Sequence, residues 1–101
     1  MYRAPSPLVA TIAGLTRQQR QAIREAMRTF VEEDLARGVP ADRTERCDAC
    51  ARERPSAGFV TYEQARLCND CATRYEILRT QGDVPNVEEF LRRRRRRAAR
   101  I

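Results

Sequence analysis

The longest hydrophobic pattern in this chain lies near the N-terminus and is typical of an amphipathic helix. Its apolar side chains share one stripe of a helix with 3.6 residues per turn: Ile23, Met27, Phe30, Val31 and Leu35. Thr16 and Gln19 have the spacing of a capping box, and Gly38 and Pro40 end the periodicity. We predict a helix within residues 15–38. Its apolar stripe should be covered, either by the rest of the chain or by a second copy.

Shorter patterns follow this helix. Residues 39–46 are polar and predict a linker, and residues 1–14, punctuated by prolines, predict a flexible N-terminus. Residues 59–62 are rich in β-forming side chains, follow a turn signal at residues 56–58 and are predicted to pair with residues 65–67 in a short hairpin.

Two further helices are expected after the hairpin. A helix of about three turns should begin within the second cysteine pair, Cys68 and Cys71, and end at Gly82. Asn86 and Glu89 have the spacing that begins a last short helix, whose apolar residues bury one turn: Val87, Phe90 and Leu91. Beyond this turn we expect a frayed tail, because like charges four residues apart on a helix repel.

The charge of the chain is concentrated in that tail. The formal net charge is +6 and all 20 basic residues are arginine. Seven of them form the C-terminal block: Arg92, Arg93, Arg94, Arg95, Arg96, Arg97 and Arg100. Another four, Arg17, Arg20, Arg24 and Arg28, form a ridge on the first helix, where neighbouring acids favour a face of salt bridges over phosphate contacts.

Four cysteines supply the candidate chemistry. Cys47 and Cys50 form one pair, Cys68 and Cys71 form another, and each pair has two residues between its members. Two such pairs can complete a tetrahedron of thiolates around one metal ion, and this spacing is a zinc signature. The chain has no histidine, so an all-sulfur site is expected. A zinc ion would also stabilise a chain whose 101 residues contain only six aromatic side chains, Phe 3 and Tyr 3.

Two alternatives to zinc remain for these cysteines. The same thiolates can hold an iron centre. Two disulfides are the other alternative, but they need an oxidising compartment and no secretory signal is recognisable. Residues 8–13 are too short to span a membrane, which needs about 20 apolar residues. We therefore expect an intracellular protein, in the cytoplasm or nucleoid, or in the nucleus if the source is eukaryotic.

The order of elements predicts the fold class. A turn carrying one cysteine pair, a short hairpin and a helix carrying the second pair make a treble-clef arrangement. A zinc ribbon would instead place a second turn and a strand after Cys71. We predict a small, zinc-stapled, mainly α protein, in which a four-cysteine finger over residues 47–82 lies between the first helix and the segment 83–101.

Residues 47–80 resemble the GATA-type zinc finger. The similarity rests on the cysteine spacing and on Leu67 and Asn69, which flank Cys68. The resemblance implies DNA binding, with Asn69 at the base edges and a basic tail along the backbone. The tryptophan-arginine-arginine strand of that family is replaced here by residues 58–62. The cysteine pattern is also similar to the zinc-binding module of the ClpX unfoldase, which implies dimerisation and adaptor binding.

Function is predicted to be non-enzymatic. The chain has no histidine or lysine, only two serines, Ser6 and Ser56, and no recognisable pair of nucleophile and base. The expected partner is nucleic acid, with DNA favoured, bound through the C-terminal arginine block and Asn69 in a small regulatory or accessory protein. The alternative is a protein-interaction or dimerisation module that pairs through the 16–37 helix. No membrane and no small-molecule substrate are expected.

Overall fold

The computed structural model describes residues 14–99, which form three helices and two antiparallel hairpins. In chain order the elements are α1 (Arg17–Ala36), β1 (Thr44–Arg46), β2 (Glu53–Pro55), β3 (Val60–Tyr62), β4 (Ala65–Leu67), α2 (Asn69–Gln81) and α3 (Val87–Ala99). The flexible segment predicted for the N-terminus lies, apart from Gly14, outside the described residues, as does Arg100.

Helix α1 begins with the predicted capping box. The backbone N–H of Gln19 donates to Thr16 Oγ1 at 3.0 Å, and the backbone N–H of Thr16 donates to Gln19 Oε1 at 2.8 Å. These two bonds satisfy donors that the first turn of a helix leaves without partners. At the other end Gly38 has a φ of 102°, in the region that glycine adopts at little cost.

The apolar stripe of α1 is covered only in part. Met27 is buried, and Ile23 and Val31 are half-buried against the rest of the chain. Phe30 and Leu35 remain 42% and 43% exposed. The expectation of a covered stripe therefore holds for the side of α1 that faces α2 and is wrong for these two residues within the single chain.

The first hairpin replaces part of the predicted linker. Thr44–Arg46 pairs antiparallel with Glu53–Pro55, with Glu45 opposite Arg54. Linker was the wrong prediction for β1 because its three residues are polar and largely exposed, so no hydrophobic alternation marks the strand. The turn between β1 and β2 is closed by backbone bonds, from Cys47 N–H to the Arg52 carbonyl and from Ala51 N–H to the Cys47 carbonyl.

The second hairpin lies where the sequence predicts it. Val60 stands opposite Leu67 and Tyr62 opposite Ala65. Asp48 joins the two hairpins, because its backbone N–H donates to the Arg66 carbonyl and its carboxylate accepts from the Arg66 N–H at 2.8 Å. The Arg66 guanidinium also makes two bonds to the Glu45 carboxylate, at 2.9 and 2.8 Å.

The core lies between α2, α3 and the second hairpin. Leu67, Val84 and Phe90 are almost fully buried there. Tyr75 of α2 packs edge-on against Tyr62 and at a tilt against Phe90, with ring centroids 5.1 and 5.4 Å apart. Aromatic pairs at this distance add to the stabilisation from burial alone. Helix α2 ends as predicted at Gly82, which has a φ of 87°.

Helix α3 extends much further than the sequence predicts. The Asn86 side chain accepts from the Glu89 N–H at its start, and the helix continues to Ala99. A frayed tail is therefore wrong for the described part of the arginine block. The Glu89 carboxylate pairs with Arg92, with Arg93 at 2.9 Å and with Arg96 at 3.8 Å, which offsets part of the repulsion among the arginines.

Among residues 14–99, no helix has both the length and the apolar character needed to cross a membrane.

Candidate metal centre

The four cysteines meet at one point, between the first hairpin and the N-terminus of α2. Their Sγ atoms all lie within 4.8 Å of one another. Tetrahedral zinc with Zn–S bonds near 2.3 Å needs sulfurs about 3.8 Å apart, so small side-chain adjustments bring this cluster around one ion. All four thiols are free rather than paired in disulfides. The sulfurs are thus positioned to bind a single metal ion.

The first cysteine pair is held by the turn between β1 and β2. Cys47 is fully buried, and its sulfur accepts from three backbone N–H groups, those of Ala49 and Cys68 at 3.3 Å and that of Cys50 at 3.5 Å. Burial alone would raise the pKa of the Cys47 thiol, but these donors outweigh it and hold that pKa at about 7. The lowered pKa favours the thiolate form of Cys47, which is the form that binds metals.

The second cysteine pair is held by a helix. Cys68 is the N-cap of α2 and Cys71 lies in its first turn. Burial raises the pKa of both thiols, and the other nearby sulfurs raise that of Cys71 further. A divalent cation at the centre of the cluster would reverse this effect, because coordination deprotonates a thiol. The N-terminal end of the helix dipole also favours negative sulfur at these positions.

Asn69 has a structural role in the fold. Its side-chain N–H₂ donates to the Met27 carbonyl of α1 at 2.9 Å and to the Gly58 carbonyl at 3.0 Å. These two bonds use both amide hydrogens and tie the first turn of α2 to α1 and to the turn before β3. The base-reading role that the GATA resemblance implies for Asn69 gains no support from this geometry, since the donors that would face a base are already satisfied.

Gly58 completes this junction. Its backbone N–H donates to the Asp34 carboxylate of α1 at 2.8 Å, and its φ is 90°. A Cβ at this position would lie 2.4 Å from Val31 Cγ2 and 3.0 Å from Asn69 Nδ2. Only glycine allows α1 to approach the finger so closely.

A cleft beside the cysteine cluster runs between α1 and α2, with a volume of about 690 Å³. Three of the four cysteines line it, as does Asp70. It is also lined by seven arginines, Arg20, Arg24, Arg28, Arg52, Arg54, Arg74 and Arg94. The sequence identifies several of these residues one by one. It does not predict that they share a cleft, because they come from separate parts of the chain.

The arginines of the cleft do not donate hydrogen bonds to the cysteine sulfurs, and Arg54, which pairs with Asp70, is the one among them that forms a salt bridge within the described residues. Within residues 14–99 every hydrogen bond to a cysteine sulfur comes from a backbone N–H. The ridge on α1 forms no ion pair with any described acid, so a face of salt bridges was the wrong prediction for it. Arg20 instead donates to the Leu15 carbonyl at 2.7 Å and to Gln81 at 3.4 Å.

The C-terminal arginine block is divided by the fold. Arg94 lines the cleft, while Arg92 and Arg93 pair with Glu89. Arg95 and Arg96 are exposed, and the side chain of Arg97 falls outside what the structure describes.

Comparison of the chain with protein-family models, with curated proteins and with solved structures found no match. The resemblance to the GATA-type finger and to the ClpX module therefore stays a prediction from the cysteine spacing and its neighbours.

Proposed function

We propose that the cysteine cluster holds one zinc ion and that the chain is a non-enzymatic nucleic-acid-binding module with DNA as its ligand. Zinc suits the site because four thiolates close its coordination shell, which is typical of structural rather than catalytic zinc. A treble clef is the fold that fits a turn carrying one cysteine pair and a helix start carrying the other.

The observation that supports nucleic-acid binding is the anchoring of a basic helix on the metal module. Helix α3 buries Val87, Phe90 and Leu91 in the core and then continues as arginine for two further turns. Because its first turn is fixed, the arginines project from a defined place instead of from a free tail. Arginine presents a planar fork that matches phosphate oxygens, and its charge is permanent.

A salt titration tests this proposal. Full-length zinc-loaded protein should bind a mixed-sequence DNA duplex with a log–log salt slope of about −6 if all seven arginines of the block neutralise phosphates. Replacing residues 92–97 with glutamine keeps a helix-forming side chain at each position, and should flatten the slope by several units for every sequence alike. Absence of salt-dependent association with DNA or RNA at micromolar protein would refute the proposal.

A protein-interaction or dimerisation module is the second candidate function, and the exposed part of α1 favours it. Phe30 and Leu35 are the large hydrophobic side chains that the described chain leaves most exposed, and both lie on α1. A second copy of the chain would cover them if it packed along this helix. Sedimentation of the Phe30→Asp variant tests this: a shift from dimer to monomer supports the second candidate, and an unchanged monomer mass removes it.

A further inference from the structure

We propose that the cleft between α1 and α2 is a phosphate-binding channel that holds the backbone of a nucleic acid next to the metal centre. This inference rests on the proposed function and names a contact surface for it, separate from the C-terminal arginine block. Its contacts would be independent of base sequence, since they reach phosphate rather than base edges.

Five of the seven arginines that line the cleft have no partner among the described residues. Arg24, Arg28, Arg52, Arg74 and Arg94 line it, and none of these five side chains forms a hydrogen bond or ion pair with another residue in the part of the chain that the structure describes. They come from α1, the turn between β1 and β2, α2 and α3. Positive charges that line one cleft repel one another, so an anion in the cleft would be bound favourably.

The cleft has too few acidic groups to neutralise these arginines. Asp70 is the carboxylate among the residues that line the cleft, and it already pairs with Arg54 at 2.6 Å. Thiolates bound to zinc would carry negative charge nearby, yet no arginine side chain donates to a sulfur among residues 14–99. None of the five arginines is therefore neutralised by an acidic partner within the described residues.

The distribution of the five arginines indicates what kind of anion the cleft would bind. A single small phosphate meets one or two arginines, whereas these five are distributed over four elements. Arg94 lies on α3, the same helix that carries the exposed arginines Arg95 and Arg96. Arg94 therefore links the cleft to the helix that carries the C-terminal arginine block. Regularly spaced phosphates along one backbone fit such a track better than a compact anion does.

The test compares two pairs of substitutions in the full-length, zinc-loaded protein. Arg28→Gln with Arg74→Gln removes one arginine from each wall of the cleft, and neither side chain has a partner in the described structure whose loss would unfold the chain. Arg43→Gln with Arg46→Gln is the control, since it removes the same charge from positions that are also exposed but do not line the cleft. Thermal unfolding of both variants is recorded first.

The cleft pair should weaken binding to a short mixed-sequence duplex by about tenfold and flatten the salt slope by about two units, one for each phosphate contact. The control pair should change both quantities much less, because its charges lie outside the cleft and would not contact the phosphates bound there. Arg28→Lys with Arg74→Lys should restore most of the slope, since lysine also neutralises phosphate.

Three outcomes would overturn the inference. Equal losses for the cleft and control pairs would place the contacts elsewhere, while the proposed function would survive on the binding of the unmodified protein. Failure of the lysine pair to restore the slope would remove phosphate charge as the cause. Displacement of the duplex by tripolyphosphate at matched phosphate concentration would assign the cleft to a small anion. Absence of binding by the unmodified protein would refute the proposed function as well.

Discussion

The two cysteine pairs have the same spacing but are held by different kinds of structure. Cys47 and Cys50 lie on a turn between two short strands, whereas Cys68 and Cys71 lie at the start of a helix. The first pair receives backbone N–H groups onto one buried sulfur. The second pair has little such support and depends on burial and on the helix terminus. The same cysteine spacing is therefore held by two different local structures, and the residues that follow each pair determine which one forms.

That difference predicts unequal costs when the pairs are broken. Metal removal should have the largest effect, because the binding energy of structural zinc is folding energy on the order of 10 kcal/mol. Chelation should abolish the cooperative unfolding of residues 44–82 in circular dichroism and leave helical signal from α1. Protein that unfolds at the same temperature with and without chelator would contradict this.

Within the first pair, Cys47→Ser should be more damaging than Cys50→Ser. Both substitutions remove a ligand of the proposed zinc ion, but only the first also disturbs the three N–H groups that donate to a buried sulfur. We expect the Cys47 variant to bind zinc more weakly by tenfold or more, about 1.4 kcal/mol, relative to the Cys50 variant. Competition with a chromophoric chelator measures the ratio, and equal affinities would show that the two sulfurs are equivalent.

The contact between α1 and the second pair can be broken through Gly58. Gly58→Ala should destabilise the protein by about 2–4 kcal/mol, because it combines a positive φ with overpacking against Val31. Gly38→Ala is the matched control: its φ is also positive, yet no atom lies within 4 Å of the added Cβ, so only about 1 kcal/mol is expected. Urea unfolding at saturating zinc compares them, and equal losses would mean that the close approach has no energetic weight.

Each cysteine pair also has a polar side chain between its two members that makes hydrogen bonds to a neighbouring element. The contributions of these bonds to stability can be ranked. Asn69→Ala removes two bonds at a half-buried position and leaves two carbonyls without their donor, so about 1–3 kcal/mol is expected. Asp48→Ala removes one carboxylate bond at an exposed position, where about 0.5–1.5 kcal/mol is expected. If Asp48→Ala lowered the free energy of unfolding more than Asn69→Ala in the same urea assay, the second cysteine pair would not be the one whose contact with α1 stabilises the protein.

The smallest effect is expected at the ion pair between the hairpins. The Arg66 guanidinium, through its hydrogen bonds and its charge, holds the pKa of Glu45 below its usual range, so the carboxylate is fully charged at neutral pH. Glu45→Gln should cost only about 0.2–1 kcal/mol, because the pair is substantially solvent-exposed. The difference should shrink in high salt. A loss that does not depend on salt would mean that packing, rather than charge, links the hairpins.

Several parts of the molecule follow from the sequence because neighbouring residues determine them. The capping box at Thr16, the hairpin that ends at Leu67 and the stop of α2 at Gly82 each depend on residues a few positions apart. The four cysteines were also recognisable as one site, since two pairs of thiols with this spacing have few other uses. Local sequence therefore predicts these elements and the candidate metal ligands.

Other parts depended on contacts between residues far apart in the chain. Strand β1 is polar and exists because it pairs with β2 across the turn that holds the first cysteine pair. Helix α3 persists through its arginines because Phe90 anchors it and Glu89 offsets their charge. Neither cause has a periodic pattern that sequence reasoning can detect.

Local sequence was enough to indicate where the helices begin, which residues can hold a metal and where positive charge is concentrated, because propensity, spacing and charge are properties of neighbouring residues. Tertiary structure alone decided that Asn69 holds α1 in place, that Phe30 stays exposed and that arginines from four elements share one cleft. The physical reason is the docking of α1 on α2. It buries Met27, brings α1 into close contact with Gly58 and places arginines of α1 in the same cleft as those of α2 and α3.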